Sequence, residues 1–454
     1  MLERYFGIRA QGSTLRREVI AGASTFLAAM YIIVVNPGVL SQAGIPFDQA
    51  LTATVLISVF GCLAMGLYAK NPILVAPGMG LNALFTYTMV SKLGMTVPIA
   101  LGCVLWAGIL FLLLALFNAR KYVVAAIPSS LRYGVGSGIG LFVTLIGLEK
   151  SGMVVSNPDT IVSMGEVTPS LVVFLIGLAI TIGLVVRKVP GALVLGIAIT
   201  TILAIPVGRW IDASHFTAAV DRAHTLVNFN GIVSSPSFAH FESFTSGRWW
   251  EAVDLMGALQ YAYLPFIFVV LFTTFFDALS TFMSVCQAGN LLDENGEPRN
   301  LKRSMMVDAF SALISAPLGT SSANAFVESA AGVSQGGKTG LVAVVCALLF
   351  LPFLFLSPLL GLVPALATAP ALIMVGVFMA SSISEVDWRD LEVGIPAFLA
   401  MIMTPLTYSI THGIVFGMLS YVVVKVACGK WKDIHPVMWV LFLLSLGLLA
   451  IRTH

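Results

Sequence analysis

The chain has 454 residues, of which 58% are hydrophobic and only 10% charged. A soluble globular domain carries about 25% charged residues, so the composition excludes one, and a net charge of +2 gives no reason to expect a nucleic-acid partner. The charges are also segregated: the runs 19–47, 49–69, 71–91, 93–119, 133–148, 167–186, 189–208, 255–276, 339–384 and 394–424 contain none. A bilayer-spanning helix takes ~20 mostly apolar residues. Each run supplies about one, and the two longest supply two each. Continuous apolar runs speak for helices and against a barrel of short alternating strands. A basic stretch leads straight into a full-length span, so no cleavable signal is expected.

In chain order, with the N-terminus inside, spans are predicted at 19–40, 50–69, 75–91, 97–118, 131–149, 169–187 and 189–207, then at 262–285, 302–317, 322–335, 338–360, 365–383, 394–409 and 411–428. The basic residues agree with this order. Arg4, Arg9, Arg16 and Arg17 precede the first span. Arg120, Lys121 and Arg132 follow the fourth, Arg187 and Lys188 the sixth, Arg299, Lys302 and Arg303 the eighth, and Lys425, Lys430 and Lys432 the last. All of these fall on the cytoplasmic side by the positive-inside rule, and the long polar loop is then extracytoplasmic. The apolar stretch 437–451 is short for a span and is expected as an interfacial or packed terminal helix.

Fourteen spans divide into two sets of seven, and an odd number per repeat inverts the second copy. Thr25-Phe26-Leu27-Ala28-Ala29 in span one matches Thr274-Phe275-Phe276-Asp277-Ala278 in span eight. Ala76-Pro77-Gly78-Met79-Gly80-Leu81-Asn82-Ala83 opens span three, and Ala316-Pro317-Leu318-Gly319 leads towards Asn324-Ala325-Phe326 in span ten. Short, Gly/Pro-interrupted segments at corresponding places in two inverted halves point to a transporter's binding site near the midplane. Proline lacks an amide hydrogen and disfavours helix in the residue before it, so spans three and ten are predicted to start extended and become helical afterwards. The helix N-termini beyond the breaks then carry partial positive charge into a cavity.

Asp277 interrupts an apolar stretch from 255 to 292, and a carboxylate at mid-membrane costs ~2.5–3.5 kcal/mol on insertion scales, which makes it a functional candidate. Glu328 lies four residues after Asn324, so the two are expected on one helix face. Asp308, one turn past Arg303, is expected to reach the interface in a structural role, and Lys338 and His412 are read as span-end anchors. Two buried carboxylates with Asn82, Asn324, Ser280 and Thr281 form an acceptor-rich, cation-poor site suited to a small solute bearing several N–H groups, on which Phe276 and Phe326 can stack. One of the acids can take up a proton with the solute and release it inside.

Residues 332–339, Gly-Val-Ser-Gln-Gly-Gly-Lys-Thr, satisfy the P-loop pattern. A true P-loop joins a buried strand to a soluble helix in an α/β domain, whereas this one joins two membrane segments, so it is read as a glycine-rich turn. Gly134, Gly136, Gly138 and Gly140 give overlapping GxxxG spacings, predicting close helix packing and possible use as a sliding surface. The five cysteines show no CxxC pair and are read as free thiols packed in helices. Neither H-E-x-x-H nor G-x-S-x-G occurs, so the chain is not expected to be an enzyme.

The motifs quoted above, with Asn36-Pro37, Gly319-Thr320-Ser321, Glu328-Ser329-Ala330-Ala331-Gly332-Val333, Gly336-Gly337-Lys338-Thr339-Gly340 and Pro405-Leu406-Thr407-Tyr408-Ser409-Ile410, resemble the AzgA-like adenine/guanine/hypoxanthine permeases of the xanthine/uracil permease superfamily along nearly the whole chain. The resemblance implies an all-α membrane fold of fourteen spans in a seven-plus-seven inverted repeat. It implies a cytoplasmic N-terminus (1–18), a core domain built from 19–118 and 262–360, a gate domain built from 119–207 and 361–430, an extracytoplasmic loop (208–261) and a C-terminal segment (431–454). It further implies a homodimer in the bacterial inner membrane that imports purine bases with protons by an elevator movement, with no cofactor besides the coupling proton. The family's functional carboxylates fall on Asp277 and Glu328, and its span-three asparagine on Asn82. The expected substrate-binding set is therefore Asp277, Glu328, Asn82, Thr281, Phe276, Phe326, Gly80 and Thr25, with proton coupling at Glu328 or Asp277 and with Asn324, Pro77 and Gly319 shaping the backbone beside it. The alternative, an anion transporter or exchanger on the same architecture, is disfavoured by the two buried acids.

Overall fold

The computed structural model describes residues 2–117, 128–157, 159–210, 233–245, 249–293 and 297–451. The basic pair Arg120 and Lys121 and much of the long loop predicted at 208–261 lie outside the described residues. Apolar segments in lipid must satisfy every amide and carbonyl internally, which selects helix. Eight described helices are long and apolar enough to cross a membrane, among them Phe47–Ala69, Val97–Leu116, Ser129–Lys150, Leu264–Ala288 and Ile410–Ala427. Ala192–Ile205, Leu341–Phe355 and Leu391–Leu406 are shorter apolar helices, and Leu301–Leu318 carries Lys302, Arg303 and Asp308. The chain is thus a multi-pass helical membrane protein. Span one is divided into Leu15–Ala29 and Ile32–Leu40, with Tyr31 buried at the joint.

The helices pack in two sets. Leu15–Ala29 lies against Ser329–Val333 and Leu341–Phe350, Phe47–Ala64 against Ile32–Leu40 and Leu301–Leu318, and Val97–Leu116 against Leu301–Leu318 and Leu264–Ala288. In the other set, Ser129–Lys150 lies against Ala365–Ala380, Leu391–Leu406 and Ile410–Ala427. The glycine stripe of Ser129–Lys150 makes the close approach that its spacing predicts, within this second set. A Cβ on Gly134 would stand 2.5 Å from the Ala397 carbonyl, and one on Gly140 2.6 Å from the Gly376 carbonyl. Gly134 and Gly140 are therefore packed closely against helices of their own set.

Spans three and ten are broken as predicted. Val75–Pro77 and Ala323–Ala325 are extended and pair antiparallel, Val75 opposite Ala325, Ala76 opposite Asn324 and Pro77 opposite Ala323. Gly78 N–H donates to Ser322 O (3.1 Å) and Phe326 N–H to Leu74 O (2.9 Å), so main-chain groups freed from helix are satisfied across the crossing. Helix resumes at Met79–Ala83 on one side and at Ser329–Val333 on the other. Pro317, read from sequence as part of the second interruption, lies inside Leu301–Leu318; the helix ends instead at Gly319, whose φ of +84° is left-handed and costs glycine no Cβ clash. Above this turn lies the loop helix Ala239–Thr245, whose His240 ring would stand 2.7 Å from a Cβ on Gly319. A hairpin, Val154–Asn157 with Ile161–Met164, follows Ser129–Lys150 and was not expected from sequence. The terminal helix Pro436–Ile451 packs on Ile410–Ala427. Cys62, Cys103, Cys286 and Cys346 are buried free thiols, whereas Cys428 is exposed.

Candidate functional site

Three of the sequence-predicted residues, Asp277, Glu328 and Asn82, are each held by a partner from a distant part of the chain at or beside the strand crossing. Asp277 lies on Leu264–Ala288, and Asn324 Nδ2 donates to its Oδ2 at 2.6 Å. Asn324 sits in the Ala323–Ala325 strand because that backbone is committed to pairing with Val75–Pro77. It therefore does not share a helix face with Glu328, contrary to the expectation from their spacing. Glu328 stands at the N-cap of Ser329–Val333, and its Oε1 accepts a hydrogen bond from the Tyr31 hydroxyl at 2.7 Å. A carboxylate is favoured at that end of a helix by the exposed amides and the dipole. Among the described residues no other side chain donates to Oδ1 of Asp277 or Oε2 of Glu328, so each acid retains an acceptor for a ligand N–H.

Asn82 is buried in Met79–Ala83. Its Oδ1 accepts from the Ser321 hydroxyl in a short contact, tying the third span to the approach of the tenth. Asn36 Nδ2 reaches Thr54 Oγ1 (2.7 Å) and Thr320 Oγ1 (3.2 Å), which anchors the same approach to spans one and two. Thr281 is buried one turn beyond Asp277, on its helix face, while Ser280 is exposed. Phe276 packs on Phe272 and Phe275, with centroids 4.7 and 5.1 Å away. Phe326 is buried beside the strand pair. Pro77 occupies the last paired position, where its missing N–H is no loss at a strand end.

Two candidates have packing partners that sequence could not supply. A Cβ on Gly80 would stand 2.5 Å from Ile139 Cγ2 on Ser129–Lys150, and a Cβ on Gly332 would stand 2.2 Å from Thr25 Oγ1. Gly80 thus permits one helix set to touch the other, and Thr25 seats the short Ser329–Val333 helix.

Three features were missed or misread. Tyr31 carried no signal, since its ring reads as one more apolar residue of span one. Arg132 was read only as a cytoplasmic marker, but its guanidinium lies over the Phe276 ring at 5.3 Å, within the range of a cation–π contact; the neighbourhood is therefore not as cation-poor as composition implied. Asp308 was expected to reach the interface but is fully buried. Its carboxylate lies near the Ala325 amide, and neither of its oxygens has a hydrogen-bond partner of good geometry. The face of Leu301–Leu318 that bears Asp308 is turned inward, whereas the sequence shows only that Arg303 is near.

Comparisons with known proteins agree with this architecture. Among solved structures, the fold is similar to the transmembrane domain of a cyanobacterium bicarbonate transporter, BicA, with a TM-score of 0.62 at 16% identity over 88% of this chain and 97% of that one. It is also similar to SLC26A9, with a TM-score of 0.58 at 12% identity over 91% of this chain and 66% of that one; at such identities the likeness concerns the fold alone. In sequence, the chain is 40% identical over 456 residues to adenine permease AdeP of Escherichia coli (strain K12), covering all of this chain and 97% of that protein. It is 38% identical to guanine/hypoxanthine permease PbuO of Bacillus subtilis (strain 168), covering 98% of this chain and all of that protein. The Xan_ur_permease model, described as a permease family, matches residues 16–418. With nearly the whole chain matched and the broken, paired third and tenth segments in place, the chain belongs to this permease family, which transports and does not catalyse.

Proposed function

We propose that this permease imports purine nucleobases, guanine and hypoxanthine or adenine, together with protons across the bacterial inner membrane. The observation that carries the reading is the pair of carboxylates at the strand crossing. Asp277 and Glu328 each have one oxygen held by Asn324 or Tyr31 and the other available, an arrangement complementary to a planar base that offers several N–H groups. Full-length relatives named as adenine and guanine/hypoxanthine permeases support the same substrate class. Phe276, Phe326 and Thr281 complete the acceptor-rich pocket, Asn82 steadies the crossing, and Glu328 or Asp277 carries the coupling proton.

In this reading the chain has fourteen spans in two inverted sets of seven, with its N-terminus cytoplasmic. Spans 1–4 and 8–11 form a core that carries the site and slides past a gate of spans 5–7 and 12–14, within a homodimer. The segregation of helix contacts into two sets, meeting at places such as Gly80 and Ile139, supports a two-body mechanism. An anion transporter on the same fold would prefer a cationic or neutral pocket, and Asp277 and Glu328 speak against it.

Uptake of labelled hypoxanthine in a permease-deficient bacterial host, competed by unlabelled adenine, guanine and hypoxanthine with and without a protonophore, tests the proposal. Saturable uptake that purines suppress and the protonophore abolishes is the expected result. Uptake indifferent to excess purines would overturn the substrate class, and uptake indifferent to the protonophore would overturn the coupling.

A further inference from the structure

The phosphate-loop-like turn at 332–339 has a use that its sequence does not announce. In a P-loop, successive backbone amides and a Ser/Thr hydroxyl converge on an anion. Here they also converge on an anion, and it belongs to the chain itself. Glu18 is fully buried in the first turn of Leu15–Ala29. Its Oε1 accepts from Lys338 N–H at 3.0 Å, and its Oε2 from Thr339 N–H at 3.1 Å and the Thr339 hydroxyl at 2.7 Å. Arg299 braces the same turn by donating from Nη2 to Lys338 O at 2.7 Å.

From these contacts we infer that Glu18 is the resident anion of a phosphate-loop-like nest and, through it, a positioning residue for Glu328. The segment from Glu328 to Thr339 is stapled to span one at both ends, by Tyr31 to Glu328 and by Glu18 to Lys338 and Thr339. Between the staples it lies flush on the same helix: a Cβ on Gly332 would stand 2.3 Å from Ala21 O, and one on Gly337 2.6 Å from Ala21 Cβ. Ser24 Oγ adds a bond to Gln335 Oε1 at 2.7 Å. Gly336, at φ +94°, turns the chain between them. Such a short, doubly anchored hook has little slack, so releasing one end moves the other. A charged acceptor moved out of hydrogen-bond reach of its ligand loses about tenfold or more in affinity. The nest also accounts for the motif without a nucleotide, because the chain's own Glu18 carboxylate fills the anion site by hydrogen bonds.

This inference rests on the proposed role of Glu328, and its test separates the two. Purified Glu18→Ala and Glu18→Gln proteins are compared with the unaltered chain for hypoxanthine affinity, binding stoichiometry and thermal midpoint, each with and without millimolar formate. Glu18→Ala leaves a vacant nest, so its affinity falls by about tenfold at unchanged stoichiometry, and formate restores both affinity and thermal midpoint. Glu18→Gln fills the space but sets an amide against the loop's N–H groups, so it is impaired and formate does not help. The thermal arm contains no base and reads the nest even if the unaltered chain binds no purine, an outcome that would remove only the functional reading. Glu18→Ala protein that binds hypoxanthine like the unaltered chain, or that loses stoichiometry without rescue by formate, would overturn the positioning role.

Discussion

Gly80 separates a packing role from a ligand-binding role, and the structure sets the size of the effect. A Cβ at this position would stand 2.5 Å from Ile139 Cγ2, whereas carbon atoms rest at about 3.5–4.0 Å. Gly80→Ala therefore forces Met79–Ala83 and Ser129–Lys150 apart by about 1 Å, or drives Ile139 off its rotamer. Overpacking of this kind costs about 1–3 kcal/mol. At 1.4 kcal/mol per decade, the close-packed arrangement of the two helix sets becomes about 5- to 150-fold less populated. In the proposed two-body mechanism each transport cycle passes through that arrangement, so initial uptake of labelled hypoxanthine, normalised to membrane-inserted protein by immunoblot, should fall within that range. The clashing atom is Cγ2, which Ile139→Ala removes and Ile139→Val keeps. The Gly80→Ala/Ile139→Ala double variant should thus recover most of the lost rate, and Gly80→Ala/Ile139→Val should not. Unchanged uptake in Gly80→Ala, or a defect that Ile139→Ala leaves in place, would refute the packing argument and return Gly80 to the ligand.

Asp277→Asn and Glu328→Gln each replace one acceptor oxygen of the proposed site by an N–H donor; hydrogen bonds to charged groups contribute about 1.5–3 kcal/mol, so apparent affinity should fall at least tenfold while membrane insertion is retained, and unaltered kinetics in both variants would remove them from the site. Tyr31→Phe deletes the 2.7 Å bond to Glu328 Oε1 and little else, so it should raise the half-saturation concentration by about tenfold or more with normal protein levels; a change confined to maximal rate would argue that Tyr31 does not orient the acid. Asp308→Asn relieves a buried carboxylate that has no hydrogen-bond partner, a burden of about 1–3 kcal/mol. The thermal midpoint of the purified variant should rise while uptake falls, as happens where a costly group is kept for function; a lowered midpoint would make the carboxylate a structural element.

How much of this was legible beforehand varies from residue to residue. Pro77, Gly78 and Gly319 announce broken segments because proline and glycine act on their own backbone, and those segments are extended where predicted, with Gly319 in place of Pro317 ending the helix. Asp277 stands out because a charge in an apolar run is conspicuous in one dimension. Tyr31 and Arg132 do not stand out, since an aromatic near mid-span and an arginine near a span end are ordinary in membrane helices. Asp308 was misplaced because distance along a helix from a basic residue does not say which face is turned inward.

The sequence by itself therefore determined the environment, the apolar helical segments, the two interruptions and Asp277 as a conspicuous candidate, since each follows from hydropathy and backbone chemistry acting over a few residues. Only the tertiary structure decided who meets whom. Tyr31 and Glu328 are 297 residues apart, Asn82 and Ser321 239, and Glu18 and Thr339 321. Contacts of that range depend on the packing of whole helices, and on an antiparallel crossing whose register no local pattern encodes.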